Sequence, residues 1–261
     1  MANNKIQVID NVYPVTVTDA VYLPGTNTKL TDILNTNGSN NKWVGKKWII
    51  LGDSFSDSHN SHAKYYNYTR DLTGLTILQN YGIGGLRYCN LKFETNDEGV
   101  DDGYSIIDYL DTFNLLNADV ITIALGINDF FSCSPITDPL GDYGTSFDTD
   151  TFTGAMEYTL KYIHEKYREA NQHFPLIILC TPTKSATVGE TNRKGGRTED
   201  YVNCIRKVAD MWGLPVCEWI SCGWNKYTVG ANDRLATDAC HPSIYGAERL
   251  GSLLANTIMK Y

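Results

Sequence analysis

The chain has 261 residues, 42% of them hydrophobic and 20% charged, which is enough for one large globular domain with a full core. Its formal net charge is −8 and it holds no dense Lys/Arg cluster, so we expect no nucleic acid partner. The apolar runs have the length of strands and stay well below the roughly 20 residues that cross a bilayer, so we expect no membrane partner.

Residues 1–42 differ in composition from the rest and are predicted to form an N-terminal extension that ends in a linker. Residues 15–18 alternate like a strand, 27–34 are typical of a short capped helix, and 35–41 are rich in Asn, Gly and Ser. The segment is too short to fold alone, so it either packs on the main domain or attaches the chain to a partner. We therefore divide the chain into this extension and a domain over 43–261.

Strands and helices are predicted to alternate through the domain. Short apolar runs predict strands at 47–51, 75–79, 119–125, 176–181 and 215–219. Helical spacing of apolar residues predicts helices at about 61–72, 104–116, 153–170, 199–212 and 243–259. This order indicates an α/β fold whose parallel sheet carries helices on both faces.

Four polar motifs follow the predicted elements in a regular way. Three come directly after the first three strands, and the fourth precedes the last helix: Gly52-Asp53-Ser54, Asn80 to Gly85, Gly126-Ile127-Asn128-Asp129, and Asp238-Ala239-Cys240-His241-Pro242. Because the carboxyl ends of parallel strands meet at one edge of a sheet, we expect these motifs to lie close together.

The residue types in these motifs fit acyl transfer to water. Ser54 can act as the nucleophile, His241 as its base, and Asp238 as the group that orients the His241 ring. The oxyanion of the intermediate requires fixed donors, and the Ser54 N–H, the Gly85 N–H and the Asn128 side-chain amide are the candidates.

In order and spacing these motifs resemble the four blocks of the SGNH/GDSL hydrolase family, over about 43–261. The resemblance implies a flavodoxin-like three-layer α/β/α sandwich with about five parallel strands. It also implies hydrolysis of acyl esters without a metal or organic cofactor. Gly82, Gly84 and Gly85 all follow the second strand, and the family's spacing from Asn80 favours Gly85 as the donor.

Other interpretations of single motifs are weaker. A dinucleotide fingerprint at Gly82 would need a small residue where Arg87 stands. His59 and His62, with aspartates nearby, could be a metal cluster, but they are expected on a polar loop beside the cleft. Cys240 is expected to be a small packed residue rather than a nucleophile, and the seven cysteines to be reduced.

The substrate is less well marked by the sequence. We expect substrate contacts from Asp53, Tyr81, Phe130 and Trp224. The aromatic residues of the 130–150 and 219–230 loops, which include Phe131 and Tyr227, are candidates for a wall that stacks on a sugar. The long polar loop after Asp129 argues against a wide apolar groove, and it is expected to border the acyl site. The prediction is an esterase for short acyl groups, with O-acetyl groups of a carbohydrate as the expected substrate; a lipase or acyl-thioesterase is the alternative.

The extension suggests a further alternative. Residues 1–42 are loosely similar to the attachment segments of phage tail and virion proteins, which often carry sugar-deacetylating domains. We therefore expect homo-oligomer formation or virion attachment through them, and the alternative of a virion-associated binding protein stays open. The start of the chain carries no secretory signal, which predicts a cytoplasmic or virion-associated protein and leaves an exported mature form open.

Overall fold

The fold is built on a five-stranded parallel sheet with the strand order β2-β1-β3-β4-β5. The computed structural model describes residues 41–92, 104–184, 191–229, 235–236, 238 and 240–261. The strands are β1 Lys47–Gly52, β2 Thr76–Gly82, β3 Val120–Ala124, β4 Leu176–Cys180 and β5 Val216–Cys217. All five predicted strands are therefore present.

The central strands are apolar on both sides because helices cover both faces of the sheet. In β1, Ile49 and Leu51 point to one core, and Trp48 and Ile50 point to the other. The register brings Gly52 of β1 opposite Gly82 of β2 and opposite Ala124 of β3. The loops that follow these three strands therefore begin at the same level of one edge.

Five helices flank the sheet in the described part of the chain: α1 Tyr65–Thr73, α2 Ile127–Ser132, α3 Phe152–Glu169, α4 Thr198–Met211 and α5 Ile244–Ile258. Residues of α3 and α4 pack into the core that contains Ile49 and Leu51, whereas α1 and α5 pack into the opposite core. The predicted three-layer α/β/α architecture is confirmed.

Helices α1 and α5 lie against each other at close range. A Cβ atom on Gly251 of α5 would lie 2.4 Å from the Tyr65 carbonyl oxygen of α1. The Thr69 hydroxyl donates a hydrogen bond of 3.0 Å to the Gly251 carbonyl. The contact therefore requires glycine at position 251, and it fixes the last helix beside the segment that follows β1.

The helix predicted over 104–116 is wrong. The segment forms two 3₁₀ turns, Ile106–Asp108 and Leu110–Thr112. At its start the Arg87 N–H donates to the Tyr104 carbonyl, and the Ile106 N–H donates to the Arg87 carbonyl. Because this pairing holds the start of the segment extended, only single helical turns remain. The short helix α2 was not predicted.

The described fold belongs to a compact unit over Lys42–Tyr261. The predicted extension over 1–42 lies outside the described residues except for its last two, and its role stays a prediction. No helix within the described ranges is long and apolar enough to cross a membrane.

Candidate active site

Ser54 lies in a tight turn directly after β1. The Asp53 carbonyl accepts hydrogen bonds from the Ser56 N–H at 2.9 Å and the Asp57 N–H at 3.0 Å, and the Asp53 side chain accepts from the Phe55 N–H at 3.0 Å. A Cβ atom on Gly52 would lie 2.2 Å from the Ser56 hydroxyl. Glycine before the turn lets the chain fold back this closely, which places Ser54 at the turn's apex.

The structure brings the three predicted triad residues into one hydrogen-bonded chain. His241 Nε2 lies 2.9 Å from Ser54 Oγ, and His241 Nδ1 lies 2.8 Å from Asp238 Oδ2. These distances suit transfer of the serine proton to the imidazole, with the carboxylate fixing the tautomer. The predicted combination of Ser54, Asp238 and His241 is thus assembled from two distant parts of the chain.

Asp238 is held in its charged form by hydrogen bonds from its own loop. Its Oδ1 accepts from the His241 N–H at 2.5 Å and from the Cys240 N–H at 2.9 Å. Burial acts to raise the pKa of Asp238, but these bonds and the His241 ring outweigh burial, and the pKa lies below its ordinary value. A carboxylate in this position can stabilise an imidazolium.

The loops after β2 and β3 bring the predicted oxyanion donors to the same edge. Gly85 has φ +79°, a conformation that glycine adopts without strain. The Asn128 side-chain amide donates to the carbonyl of the neighbouring Leu86 at 2.9 Å, and its second amide hydrogen remains for a ligand. Among the described residues, the N–H groups of Ser54 and Gly85 have no hydrogen-bond acceptor.

Asp129 ties these two loops together beneath the site. Its buried carboxylate accepts from the Tyr88 N–H at 3.0 Å, the Cys89 N–H at 2.9 Å and the Ser134 hydroxyl at 3.1 Å. Burial, against these bonds, raises the pKa of Asp129 to about 6. The residue after Asn128 therefore has a structural role that connects the loop after β2 to α2.

Three of the four predicted substrate contacts are corrected by the structure because they are buried. Phe130 is fully buried in the core against Tyr201, and Trp224 packs against Phe55 with ring centroids 6.1 Å apart. Asp53 is buried beneath the turn, where burial first of all raises its pKa to about 7. Local sequence shows that such residues are near a motif but does not show which way they point.

The fourth predicted contact, Tyr81, packs at the edge of the sheet. Its ring stacks on Phe113 at a centroid distance of 4.2 Å, and its hydroxyl accepts from the Asn114 N–H at 2.9 Å. The predicted aromatic wall is therefore absent at these positions. Tyr227, a candidate for that wall, is 74% exposed, and Tyr245, four residues after His241, is 52% exposed.

The long loop after α2 does not border the acyl site along its length, which corrects a second expectation. Its middle is held by buried Glu157 of α3, which accepts from the Leu140 N–H at 3.0 Å and the Gly141 N–H at 2.6 Å. Gly141 packs on Met211, the last residue of α4. Because α4 leads into β5, its last residues lie at the amino ends of the parallel strands. Ser54 lies at the opposite, carboxyl ends.

His62 is a neighbour of the triad whose position the sequence did not indicate. Its ring stacks on the His241 ring with centroids 3.9 Å apart and an interplanar angle of 1°. The sequence places His62 only in a possible metal cluster with His59. The His59 side chain instead points to solvent, 91% exposed, and contacts Asp57 at 3.3 Å.

His62, Asp238 and His241 offer ligand atoms within 4.8 Å of one another. An imidazole nitrogen binds a metal through a lone pair in the plane of its ring. The two rings are parallel, so their lone pairs lie in planes that do not meet. Both His241 nitrogens also already face Ser54 and Asp238. The arrangement fits proton transfer better than metal binding.

Comparison with known proteins agrees with this geometry. The model of the GDSL-like lipase/acylhydrolase family matches residues 50–249, which include all four motifs. No curated protein sequence matches the chain.

Solved structures share the fold at low sequence identity. A Lactobacillus plantarum protein is 20% identical, with a TM-score of 0.61 over 84% of this chain and 98% of that one. A Chitinophaga pinensis protein described as a possible lipase is 18% identical, with a TM-score of 0.62 over 82% and 98%. An acetyl xylan esterase is 20% identical, with a TM-score of 0.55 over 81% and 99%.

The family match spans most of the domain, and it establishes the family, which similarity of fold alone would not do. Three of the motifs that suggested the family follow β1, β2 and β3, the fourth precedes α5, and all four lie within the matched residues. The chain belongs to the GDSL-like lipase/acylhydrolase family, and it is an esterase of that family.

Proposed function

We propose that the protein hydrolyses short acyl esters, O-acetyl groups of a carbohydrate above all, through a Ser54–His241–Asp238 triad. The observation that carries the proposal is the hydrogen-bonded chain from Ser54 Oγ through both His241 nitrogens to Asp238. Ser54 Oγ attacks the acyl carbon while His241 Nε2 takes its proton. His241 then returns the proton to the leaving alcohol, which leaves an acyl group on Ser54.

Water completes the cycle in the second half of the reaction. His241 takes a proton from water, the hydroxide attacks the acyl-serine, and the carboxylic acid leaves as Ser54 regains its proton. In both halves negative charge develops on the former carbonyl oxygen. The N–H groups of Ser54 and Gly85 and the Asn128 amide are proposed to stabilise it by hydrogen bonds that are in place before the reaction.

The space beside the nucleophile turn is small. The cavity next to Asp53 and Phe55 extends toward Thr181 and Trp219 and has a volume of only about 10 Å³. This is about the room that one water molecule needs. The lining of this cavity includes neither Ser54 nor His241, and an octanoyl chain would have to displace buried side chains to enter it; the ester panel below decides the preference for a short acyl group.

A carbohydrate as the alcohol is supported by exposed aromatic rings and by one structural relative. Tyr245 lies at the start of α5, four residues after His241, and Tyr227 lies on the segment whose next residues pair with that loop. Exposed tyrosines provide flat apolar faces with a polar tip, which suits sugar rings. The acetyl xylan esterase that shares the fold acts on such a substrate.

A panel of chromogenic esters from acetyl to octanoyl, followed by acetylated glycans, tests the proposal. We expect kcat/KM to be clearly higher for acetyl than for octanoyl esters, and acetate to be released from the glycans. Faster cleavage of octanoyl esters would favour a lipase or thioesterase, as the Chitinophaga relative's description suggests. Absence of hydrolysis altogether would favour a binding protein on a hydrolase scaffold.

The nucleophile itself is tested by Ser54→Ala, with Ser61→Ala as the matched control. Ser61 lies in the same segment and is exposed. Loss of the nucleophile should lower kcat by about 10⁶, as in well-studied triads. The melting temperature should hold, because Ser54 is at the apex of a turn held by backbone bonds. More than a tenth of wild-type activity in Ser54→Ala would remove Ser54 from this role.

A further inference from the structure

The His241 ring has a second neighbour that no step of the proposed reaction uses. His62 stacks on it face to face, with ring centroids 3.9 Å apart and an interplanar angle of 1°. Asp238 contacts one nitrogen of His241, and a single hydrogen bond leaves the ring free to rotate about it. Groups that pack against the two faces of the ring limit this rotation. A flat ring parallel to the imidazole provides such a limit.

His62 is itself fixed by the segment that carries the nucleophile. The Asn60 side chain accepts from the His62 N–H at 3.0 Å and donates to the Ser54 carbonyl at 2.6 Å. Lys64 adds a bond of 2.5 Å to the same Asn60 side chain and another to the Asp57 carbonyl. The position of the His62 ring is therefore linked to the position of the Ser54 backbone.

We propose that His62 is a positioning residue: as a neutral imidazole it stacks on His241 and holds that ring in line between Ser54 and Asp238. The inference rests on the proposed function, because it assigns His62 a part in the same proton transfer. His62 does not touch the reacting atoms. It acts through His241, by restricting the ring to the orientation in which Nε2 faces the serine hydroxyl.

The charges around His62 favour its neutral form. Burial comes first, then the charge of His241 when protonated, and both lower the pKa of His62. Lys64 acts in the same direction, and the Asp238 carboxylate opposes them. Two stacked imidazoles repel each other when both carry a proton, so a protonated His241 disfavours protonation of His62. When His241 becomes an imidazolium during the reaction, His62 therefore stays neutral beside it.

The kinetic test compares His62→Ala, which removes the ring, with His62→Phe, which keeps a flat ring that cannot be charged. Both variants retain the backbone N–H that bonds Asn60. We expect His62→Ala to lower kcat roughly 3- to 10-fold with KM unchanged, the range of one aromatic pair. We expect His62→Phe to restore most of kcat.

The matched control is His59→Ala, a histidine of the same loop whose side chain faces solvent. It should leave kcat at the wild-type value. An increase in KM with kcat unchanged in His62→Ala would make His62 a substrate contact and overturn the proposal. Equal losses in His62→Phe and His62→Ala, or an equal loss in His59→Ala, would overturn it as well.

Histidine NMR titrations provide a readout that does not depend on activity. The His62 ring should titrate at lower pH in the wild-type protein than in His241→Gln, because the variant lacks the neighbouring charge. Identical titrations would show that the rings do not interact in solution. If Ser54→Ala keeps its activity, the proposed reaction fails, whereas this titration still decides whether the stacked pair exists.

Discussion

At the scale of single residues, Asn128 has two tasks, and both depend on its side-chain amide. Its side-chain amide holds the Leu86 carbonyl and is proposed to donate to the oxyanion. We expect Asn128→Ala to lower kcat by about 10²–10³ with little change in KM, because the donor acts mainly in the transition state. Steady-state kinetics on an acetyl ester measure this.

Asn128→Asp is the sharper variant of the same test. It keeps the size of the side chain but replaces the donor with an acceptor that carries negative charge. We expect its kcat to fall at least as far as that of Asn128→Ala. A large KM increase with kcat preserved in both variants would instead assign Asn128 to substrate binding.

Asp53 gives the stability of the fold a pH dependence with an unusual sign. Burial raises its pKa from 3.8 to about 7 in the folded protein. The folded state therefore binds the proton more tightly than the unfolded state, and this contribution to stability is complete below about pH 4. It is lost as the pH rises to about 7, at about 1.4 kcal/mol per pH unit.

Asp53→Asn removes this titration while its side-chain oxygen still accepts from the Phe55 N–H. We expect the stability of the variant, relative to wild type, to rise between about pH 4 and pH 7 and to stay level above that. Urea unfolding across this range measures the difference. A difference that does not change with pH would show that Asp53 is not a buried titrating group.

At the scale of elements, the sequence predicted the strands well because their apolar runs are confined between polar turns. Central strands of a parallel sheet are buried on both sides, so their signal is strong. The helix predicted over 104–116 does not form because backbone pairing with Arg87, which is distant in sequence, overrides the helical spacing of its apolar residues. Phe130 and Trp224 were misplaced for a similar reason: proximity to a motif does not reveal which face of an element is buried.

The residues of the candidate site also fall into those that the sequence predicts and those that it does not. Ser54, Asp238 and His241 could be found because each stands in a recognisable local motif. The stack of His62 on His241 could not, because it joins two segments whose contact depends on the packing of the final helix. Sequence spacing contains no signal for such a contact.

Glu157 connects the long loop after α2 to the rest of the molecule. Its carboxylate receives the N–H groups of Leu140 and Gly141 and the Trp212 indole N–H at 3.2 Å. Glu157→Ala should destabilise the fold by roughly 1–3 kcal/mol for each donor that remains buried without a partner. Glu157→Gln, which keeps one carbonyl oxygen, should lose less.

Urea unfolding compares the two Glu157 variants with wild type. Because the anchored part of the loop lies away from Ser54, kcat per folded molecule should be unchanged in both. A selective loss of kcat at full stability would place this part of the loop at the active site after all.

At the scale of the whole molecule, the active site belongs to one compact unit, since the described parts of all four motifs lie within Lys42–Tyr261. Removal of residues 1–42 should therefore leave acetyl ester turnover and the preference for short acyl chains unchanged. We propose that this segment serves attachment or self-association, so sedimentation should show a change in assembly. Loss of solubility without a change in assembly would instead mean that the segment packs on the domain.

The contact between α1 and α5 has a consequence for how the protein is made. Ser54 follows the first strand of the sheet, whereas His241 comes after the fifth and directly before α5. A nascent chain on the ribosome can thus complete its sheet and its nucleophile turn while it still lacks the base. We expect His241 to come within reach of the serine only after α5 has packed its Gly251 against α1. We therefore expect a chain truncated before α5 to lack esterase activity.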